Sequence, residues 1–288
     1  MFFFKNILYI AIKMPTKKFN NKKTIWYFVI LLILIILFIS SEIDRTRHNF
    51  HWDFYSYYSN KLMVVGLFNN LVKLTHIHHT SVFNADDFDE HHIIKKDWKK
   101  IQQEALELYS KKDELMNMSD IAKGFFTKID KEKGTWKVFI IKWYDKTVTT
   151  ALNLAPETCK IIDQCPNIRA AMFSMLEPGK YIPEHKGPFK GCLRYHLGLK
   201  IPKDRENCYI EVDDVKYHWR EGGGLVFDDT YKHSVFNNTD EPRIILFIDI
   251  VRPMNYPMKK INSFLLENVS FVSFIKDVNN NAEKEQDI

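Results

Sequence analysis

With 288 residues, 45% of them apolar and 14% aromatic, the chain has material for one globular domain with appendages. Its formal charge of +5 comes from one end: six of the 41 basic residues lie in the first 23 positions, which hold no acid, and the remainder carries 35 basic against 36 acidic groups. That balance leaves no basic face to draw nucleic acid, and the four cysteines (Cys159, Cys165, Cys192, Cys208) lack CxxC or zinc-ribbon spacing.

In chain order, a basic tail (1–23) is followed by the uninterrupted apolar run Ile25 to Ile39, about 18 residues with Thr24, Ser40 and Ser41 added. At 1.5 Å per residue this just crosses a hydrocarbon core of roughly 30 Å, and Trp26 and Tyr27 suit its interfacial belt. A single-pass transmembrane helix at 24–41 is therefore predicted. Lys13, Lys17, Lys18, Lys22 and Lys23 precede it, whereas Glu42, Asp44, Arg45 and Arg47 nearly cancel after it. The positive-inside bias then puts the N-terminus in the cytosol and the rest on the lumenal or extracytosolic side, as an uncleaved signal-anchor. The apolar stretch Met1 to Met14 is too short to span; it either lies on the membrane surface or precedes a start at Met14.

Residues 42–92 read as a histidine-rich connector whose imidazoles are solvated loop groups. A helical support region is expected over 93–165. Within it Trp98, Ile101, Ala105 and Leu108 form one apolar stripe on a helix from Lys95 to Leu115. A second helix spans 149–163, where Pro156 is acceptable only near a first turn. Cys159 and Cys165 are close enough to bridge in an oxidising compartment; buried free thiols are the other reading.

From residue 166 to 256 the period switches to two. Strands are predicted at 169–176, 192–201, 208–212, 215–219, 224–228, 233–237 and 242–251, with turn clusters between them. Seven short strands in succession predict a closed or sandwiched antiparallel barrel. The Lys-, Asn- and Glu-rich end of the tail 257–288, from Lys276, is expected to be disordered.

The chemistry-bearing residues lie in this β region. Along Leu193-Arg194-Tyr195-His196-Leu197-Gly198-Leu199, positions 194, 196 and 198 share one strand face, which presents a guanidinium, an imidazole and a gap. An arginine turned into a barrel is costly unless it meets an anion, so either a ligand or a structural salt bridge is implied. Arg243 opens the most hydrophobic strand, and its planar fork matches a carboxylate. Together with Ser174, the two arginines are placed to bracket a molecule with a carboxylate at each end. His185 and His233, 48 residues apart, are candidate metal ligands, since neutral imidazole suits Fe(II).

The segment from Trp136 to Pro253 resembles the aspartyl/asparaginyl β-hydroxylase family of Fe(II)- and 2-oxoglutarate-dependent dioxygenases. The matching residues are Trp143-Tyr144, Pro178-Gly179, His185-x-Gly187-Pro188, the 193–199 strand, Trp219, Phe227-Asp228-Asp229, His233, Arg243 and Pro253. The upstream helix around Trp98 and the stretch Trp136–Tyr144 look more like the branch that hydroxylates lipid A acyl chains. The resemblance implies a double-stranded β-helix (jelly roll, cupin-like) with flanking α-helices. It implies His185 and His233 as catalytic metal ligands, and Ser174, Arg194, His196 and Arg243 as the 2-oxoglutarate site, with O2 as the second cosubstrate. One departure is Gly187, where the lipid branch has an aspartate two residues after the first ligand and the polypeptide-hydroxylating branch has glycine. The open position is then completed by water, with Asp228 or Asp229 as candidate hydrogen-bond partners, or by halide.

The expectation is a membrane-anchored hydroxylase acting first on the β-carbon of Asp or Asn in polypeptides, with lipid acyl chains as the alternative substrate. Sequons at Asn117, Asn237 and Asn268 accord with a translocated domain. From other classes, a non-catalytic β-barrel binding module and a cupin-like zinc hydrolase compete, the latter lacking a third protein ligand.

Overall fold

The computed structural model describes residues 79–121, 135–144 and 146–268 continuously, with shorter stretches at 26–27, 29–33, 35, 66, 68–73, 75, 278 and 280–282. The strands are β1 (Val82–Phe83), β2 (Met116–Asn117), β3 (Trp136–Trp143), β4 (Lys146–Thr147), β5 (Ile168–Leu176), β6 (Tyr181–His185), β7 (Cys192–Lys200), β8 (Cys208–Val212), β9 (Val215–Tyr217), β10 (Gly224–Phe227), β11 (His233–Asn237) and β12 (Arg243–Val251). The helices are α1 (Asp89–Lys96), α2 (Trp98–Ser110), α3 (Met118–Ile121), α4 (Thr149–Leu154), α5 (Pro156–Asp163) and α6 (Met258–Glu267).

The strands build two sheets. The large one runs β1-β10-β7-β12-β5-β3-β2, with β4 paired to β3, and the small one runs β6-β11-β8-β9. From β5 onward the chain alternates between them: β5 large, β6 small, β7 large, β8 and β9 small, β10 large, β11 small, β12 large. That winding is a double-stranded β-helix. Strands β12, β5 and β7 are buried at nearly every position, with helix α2 against β7, which accords with their nearly continuous apolar runs.

Register puts the chemistry on one face. On β12, Ile245, Phe247 and Asp249 sit opposite Gly198, His196 and Arg194 of β7 and opposite Ser174, Met172 and Ala170 of β5. The predicted alternation of 194, 196 and 198 therefore holds, and Gly198 is needed: a Cβ there would meet the Arg220 carbonyl oxygen at 2.2 Å.

The helical region differs from the expectation in its breaks. The helix expected over 95–115 ends at Ser110, and α1 precedes it with Asp97 between. Its stripe is Ile101, Ala105 and Leu108 as read, with Glu104 buried beside them. Glu104 accepts from Glu157 N (2.7 Å), Thr158 N (2.8 Å) and Thr158 Oγ1 (2.6 Å), so its carboxylate caps the N-terminus of α5. The single helix expected over 149–163 is two, because Pro156 takes the first position of α5 and the chain breaks at Ala155.

Other expectations are corrected. All four cysteines are free and buried, so no Cys159–Cys165 bridge forms. The connector 42–92 is not loop throughout: β1 and the start of α1 belong to the domain, and buried His91 bonds Tyr195 Oη through Nδ1 at 2.9 Å. The tail 257–288 holds α6, and Val278 and Ala282 are helical and buried in the main core rather than disordered. Asn237 is fully buried, its amide donating to the carbonyls of Leu176, Glu177 and Glu241, which removes it as a glycan acceptor. The expected span at 24–41 falls partly outside the described residues; its described members are helical, and among the described residues no helix is long and apolar enough to cross a membrane.

Candidate active site

His185 ends β6 and His233 begins β11, and the two are directly paired across the small sheet with ring centroids 4.1 Å apart. Strand pairing thus closes the sequence gap. Each ring is oriented the same way: His185 Nδ1 lies 2.8 Å from Pro183 O and His233 Nδ1 lies 3.0 Å from Tyr231 O. A carbonyl only accepts, so Nδ1 carries the proton in both and Nε2 keeps its lone pair, the arrangement a metal ligand needs. Burial lowers His185 to about 4 and, with the neighbouring His185 ring, lowers His233 well below the usual imidazole range. Both rings are neutral at pH 7. Among the described residues no group of three or more His, Cys, Asp or Glu is gathered at a metal-holding spacing, so the two imidazoles stand without a protein carboxylate ligand.

The place such a carboxylate would grow from is filled. A Cβ on Gly187 would sit 2.1 Å from Asp229 Oδ2, and Gly187 N donates to Asp229 O at 2.6 Å. Of the two acids proposed to support the open coordination position, Asp229 is therefore the adjacent one. Asp228 is occupied in a buried cluster with Lys190 Nζ (2.6 Å) and Arg252.

The two arginines differ. Arg194 bonds Asp249 Oδ1 through Nε at 2.7 Å and Asp229 Oδ2 through Nη2 at 2.8 Å, while its guanidinium lies 4.1 Å from the Phe247 ring centre. Its charge is already met, so the structural salt bridge holds for this residue and it is not the open clamp expected. Burial raises Asp229 to about 6, with Arg194 pulling the other way.

Arg243 has no such partner. It is 1% exposed, its Nε has no hydrogen bond, and its guanidinium rests 5.0 Å from the Trp219 ring centre. Burial depresses it to about 10, and no carboxylate opposes that shift. Beside it, His196 is buried among Phe227, Phe247 and Trp219, with neither ring nitrogen bonded. Burial and the Arg243 charge push its pKa well down. Ser174 Oγ accepts from Trp136 Nε1 at 2.9 Å, which leaves the hydroxyl proton to point elsewhere. A buried uncompensated guanidinium beside an unsatisfied imidazole and a donor-ready serine is a site for an anion.

Sequence reasoning missed Asp249 and the part played by Trp136, and it named Tyr144 only as a matching residue, without its conformation. Asp249 had a signal: it is the lone acid in the apolar strand Arg243–Val251, six residues from Arg243 and so on the same face. Tyr144 is a half-buried non-glycine residue at φ +36° whose phenol is pushed up by desolvation and by Asp249. No pattern in the sequence foretells that conformation.

The family described as Aspartyl/Asparaginyl beta-hydroxylase matches residues 95–253. An ornithine lipid ester-linked acyl 2-hydroxylase of Rhizobium tropici is 35% identical over 194 residues, covering 67% of this chain and 68% of that one. The human aspartyl/asparaginyl beta-hydroxylase is 31% identical over 175 residues, 58% of this chain, which spans 22% of that protein's length. A cupin domain of an Enterobacter cloacae transcriptional regulator aligns at 14% identity over 41% of this chain and 98% of that one, with a TM-score of 0.29. The chain belongs to the aspartyl/asparaginyl β-hydroxylase family.

Proposed function

We propose that the chain is an Fe(II)- and 2-oxoglutarate-dependent hydroxylase of an uncharged aliphatic carbon, with the ester-linked acyl chain of a membrane lipid as its first substrate class. The observation that carries the cosubstrate is Arg243, a buried cation with no carboxylate partner among the described residues. The donor set fits both groups: His185 and His233 offer Nε2 to a metal, and Arg243, Ser174 and His196 offer donors to an oxo-diacid. Bound Fe(II) would supply the redox chemistry by which 2-oxoglutarate, O2 and a substrate C–H become succinate, CO2 and a substrate C–OH.

The protein's part is placement and exclusion. The carbonyls of Pro183 and Tyr231 fix both imidazoles in one tautomer, so no proton has to leave before a metal is held. Arg243 takes the remote carboxylate, helped by the Ser174 hydroxyl, whose orientation Trp136 sets. Neutral His196 donates one N–H to the same molecule. Arg194, held by Asp229 and Asp249, lines the pocket with its remaining N–H groups, and Phe227, Phe247 and Trp219 keep water out.

Charge favours the lipid class. Asp229, Asp249 and Arg194 sum to one negative charge when both acids are ionised, so a substrate carboxylate would find no free cation there. The Rhizobium tropici relative, whose name specifies an acyl chain, is also the more extensively matched. A second reading, the β-carbon of Asp or Asn in polypeptides, is favoured by Gly187 and by the human relative. Succinate release by the full chain, with ester-linked acyl lipids and with Asp- and Asn-containing peptides, decides between them. Turnover on peptides alone would overturn the lipid reading, and no succinate with either, despite bound metal, would overturn the activity.

A further inference from the structure

The outer face of α6 exposes large apolar side chains beside lysines. Met258, Asn262 and Leu266 recur at helical spacing and are buried, so α6 seats one stripe on the domain. On the other side Ile261 is 39% and Phe264 63% exposed, and Tyr256, just upstream, is 81% exposed. Lys260 is exposed one residue before Ile261 and one turn before Phe264, and Lys259 is exposed beside it; Glu267 borders the face at its last turn. An aromatic-aliphatic stripe flanked by lysines at a helix N-terminal half is unusual for water alone, because lysine there works against the helix dipole.

The inner face of α6 grips the loop that leaves His185. Asn262 Nδ2 donates to Gly191 O at 2.9 Å, and Arg252 Nε donates to Lys190 O at 2.7 Å. The helical segment 68–73 closes the other side: Asn69 donates to Pro188 O and accepts from Lys190 N, both at 2.8 Å, and Phe68 lies 5.2 Å from Phe189. Phe68, Val72, Met254 and Met258 form their own small core there, with Leu71, Phe189 and Leu265 against it. Through these contacts α6 joins an exposed amphipathic face to the loop of a metal ligand.

The geometry points to this face, Tyr256, Lys259, Lys260, Ile261 and Phe264, as the surface that seats the domain on an anionic phospholipid bilayer, presenting the active site to acyl chains in the membrane. The apolar side chains enter the headgroup boundary while the lysines meet lipid phosphate. For its purpose the inference rests on the acyl-lipid reading, but the placement is testable without turnover. The full chain is reconstituted in phosphatidylcholine vesicles with and without about a third phosphatidylglycerol. A polarity-sensitive fluorophore is attached at Phe264→Cys or, as control, at Val215→Cys on the far sheet edge. The four native thiols are buried, so labelling is confined to the new one. The expected result is quenching of the 264 probe by brominated lipid, stronger with phosphatidylglycerol and lost in Lys259→Glu/Lys260→Glu, with the 215 probe unquenched. A 264 probe that stays in water, or equal quenching at both positions, overturns the proposal. In Ile261→Ser/Phe264→Ser, hydroxylation of vesicle lipid should fall ~tenfold with turnover of a water-soluble short acyl ester unchanged; equal loss on both substrates would mean a merely structural role.

Discussion

Replacing Arg243 by methionine should make the metal-free, ligand-free protein more stable while destroying its response to 2-oxoglutarate. The native guanidinium is charged at neutral pH but depressed from 12.5 to about 10 by burial, which at about 1.4 kcal/mol per pH unit corresponds to a cost of about 3 kcal/mol. The substitution removes that cost. It also forfeits the contact with Trp219, 5.0 Å away, and some packing, together about 1 to 2 kcal/mol. The net gain is about 1 to 2 kcal/mol, or a Tm raised by roughly 2–6 °C for a domain of this size. Thermal unfolding with Mn(II) in place of iron provides the second arm. Wild type at a hundredfold excess of 2-oxoglutarate over its Kd should gain about 2.7 kcal/mol, and the variant should gain nothing. A variant that is less stable without ligand, yet keeps a full 2-oxoglutarate shift, would refute the assignment of Arg243 to an anion.

Four further outcomes follow from the same geometry. His233→Ala should abolish both Mn(II) binding and succinate formation, measured by metal titration and product assay, since one imidazole cannot hold the ion without a carboxylate. Trp136→Phe removes the bond to Ser174 Oγ, a net loss of about 1 kcal/mol, and should raise the KM for 2-oxoglutarate about fivefold with kcat nearly unchanged. Acid should weaken the metal-free protein. His185, His196 and His233 are depressed in the native state, so their stabilisation is full above pH 6.5 and is lost as pH falls, whereas Asp229, raised to about 6, takes up a native-state proton and offsets one of the three. Urea titrations from pH 6 to 5 should therefore show a falling stability, and a flat profile would contradict the burial of these rings. Native thiol titration should find none of the four cysteines reactive, and unfolding without reductant should release all four, against a Cys159–Cys165 bridge.

The fold was legible where the hydrophobic period was two and ambiguous where it was not. Strands β7 to β12 show in the sequence because turn clusters separate short apolar or alternating runs. Strand β6, Tyr181–His185, did not, because Pro183 lies inside it and glutamate and histidine fill its end. Proline is tolerated there since Ile182 and His185 supply the pairings to β11. Strand β3 was equally hidden: Trp136–Trp143 is buried at nearly every position, so it carries no alternation to read. The helix break at Ala155 follows from Pro156, whose restriction of the preceding residue outweighed a continuous apolar stripe.

The site was legible in its membership and not in its charge balance. Alternation assigns Arg194 and His196 to one strand face, and nothing more is needed to turn both into the cavity. Whether a guanidinium there is waiting for a ligand depends on what the opposite strand presents, which register alone decides. Asp249 faces Arg194 across β12 and β7, and the same register sets Phe247 against His196, so one cation is neutralised and the imidazole is left dry. Arg243 lies three pairs further along β12, opposite Leu176, with no acid in reach. A shift of that register by two residues would bring Phe247 opposite Arg194 and Asp249 opposite Cys192, so that Arg194 would keep only its bond to Asp229. The charge balance of the site is consequently set by strand pairing as well as by the arginines, and a substitution that slips β12 would move Arg243 away from Trp219 and damage the site along with it.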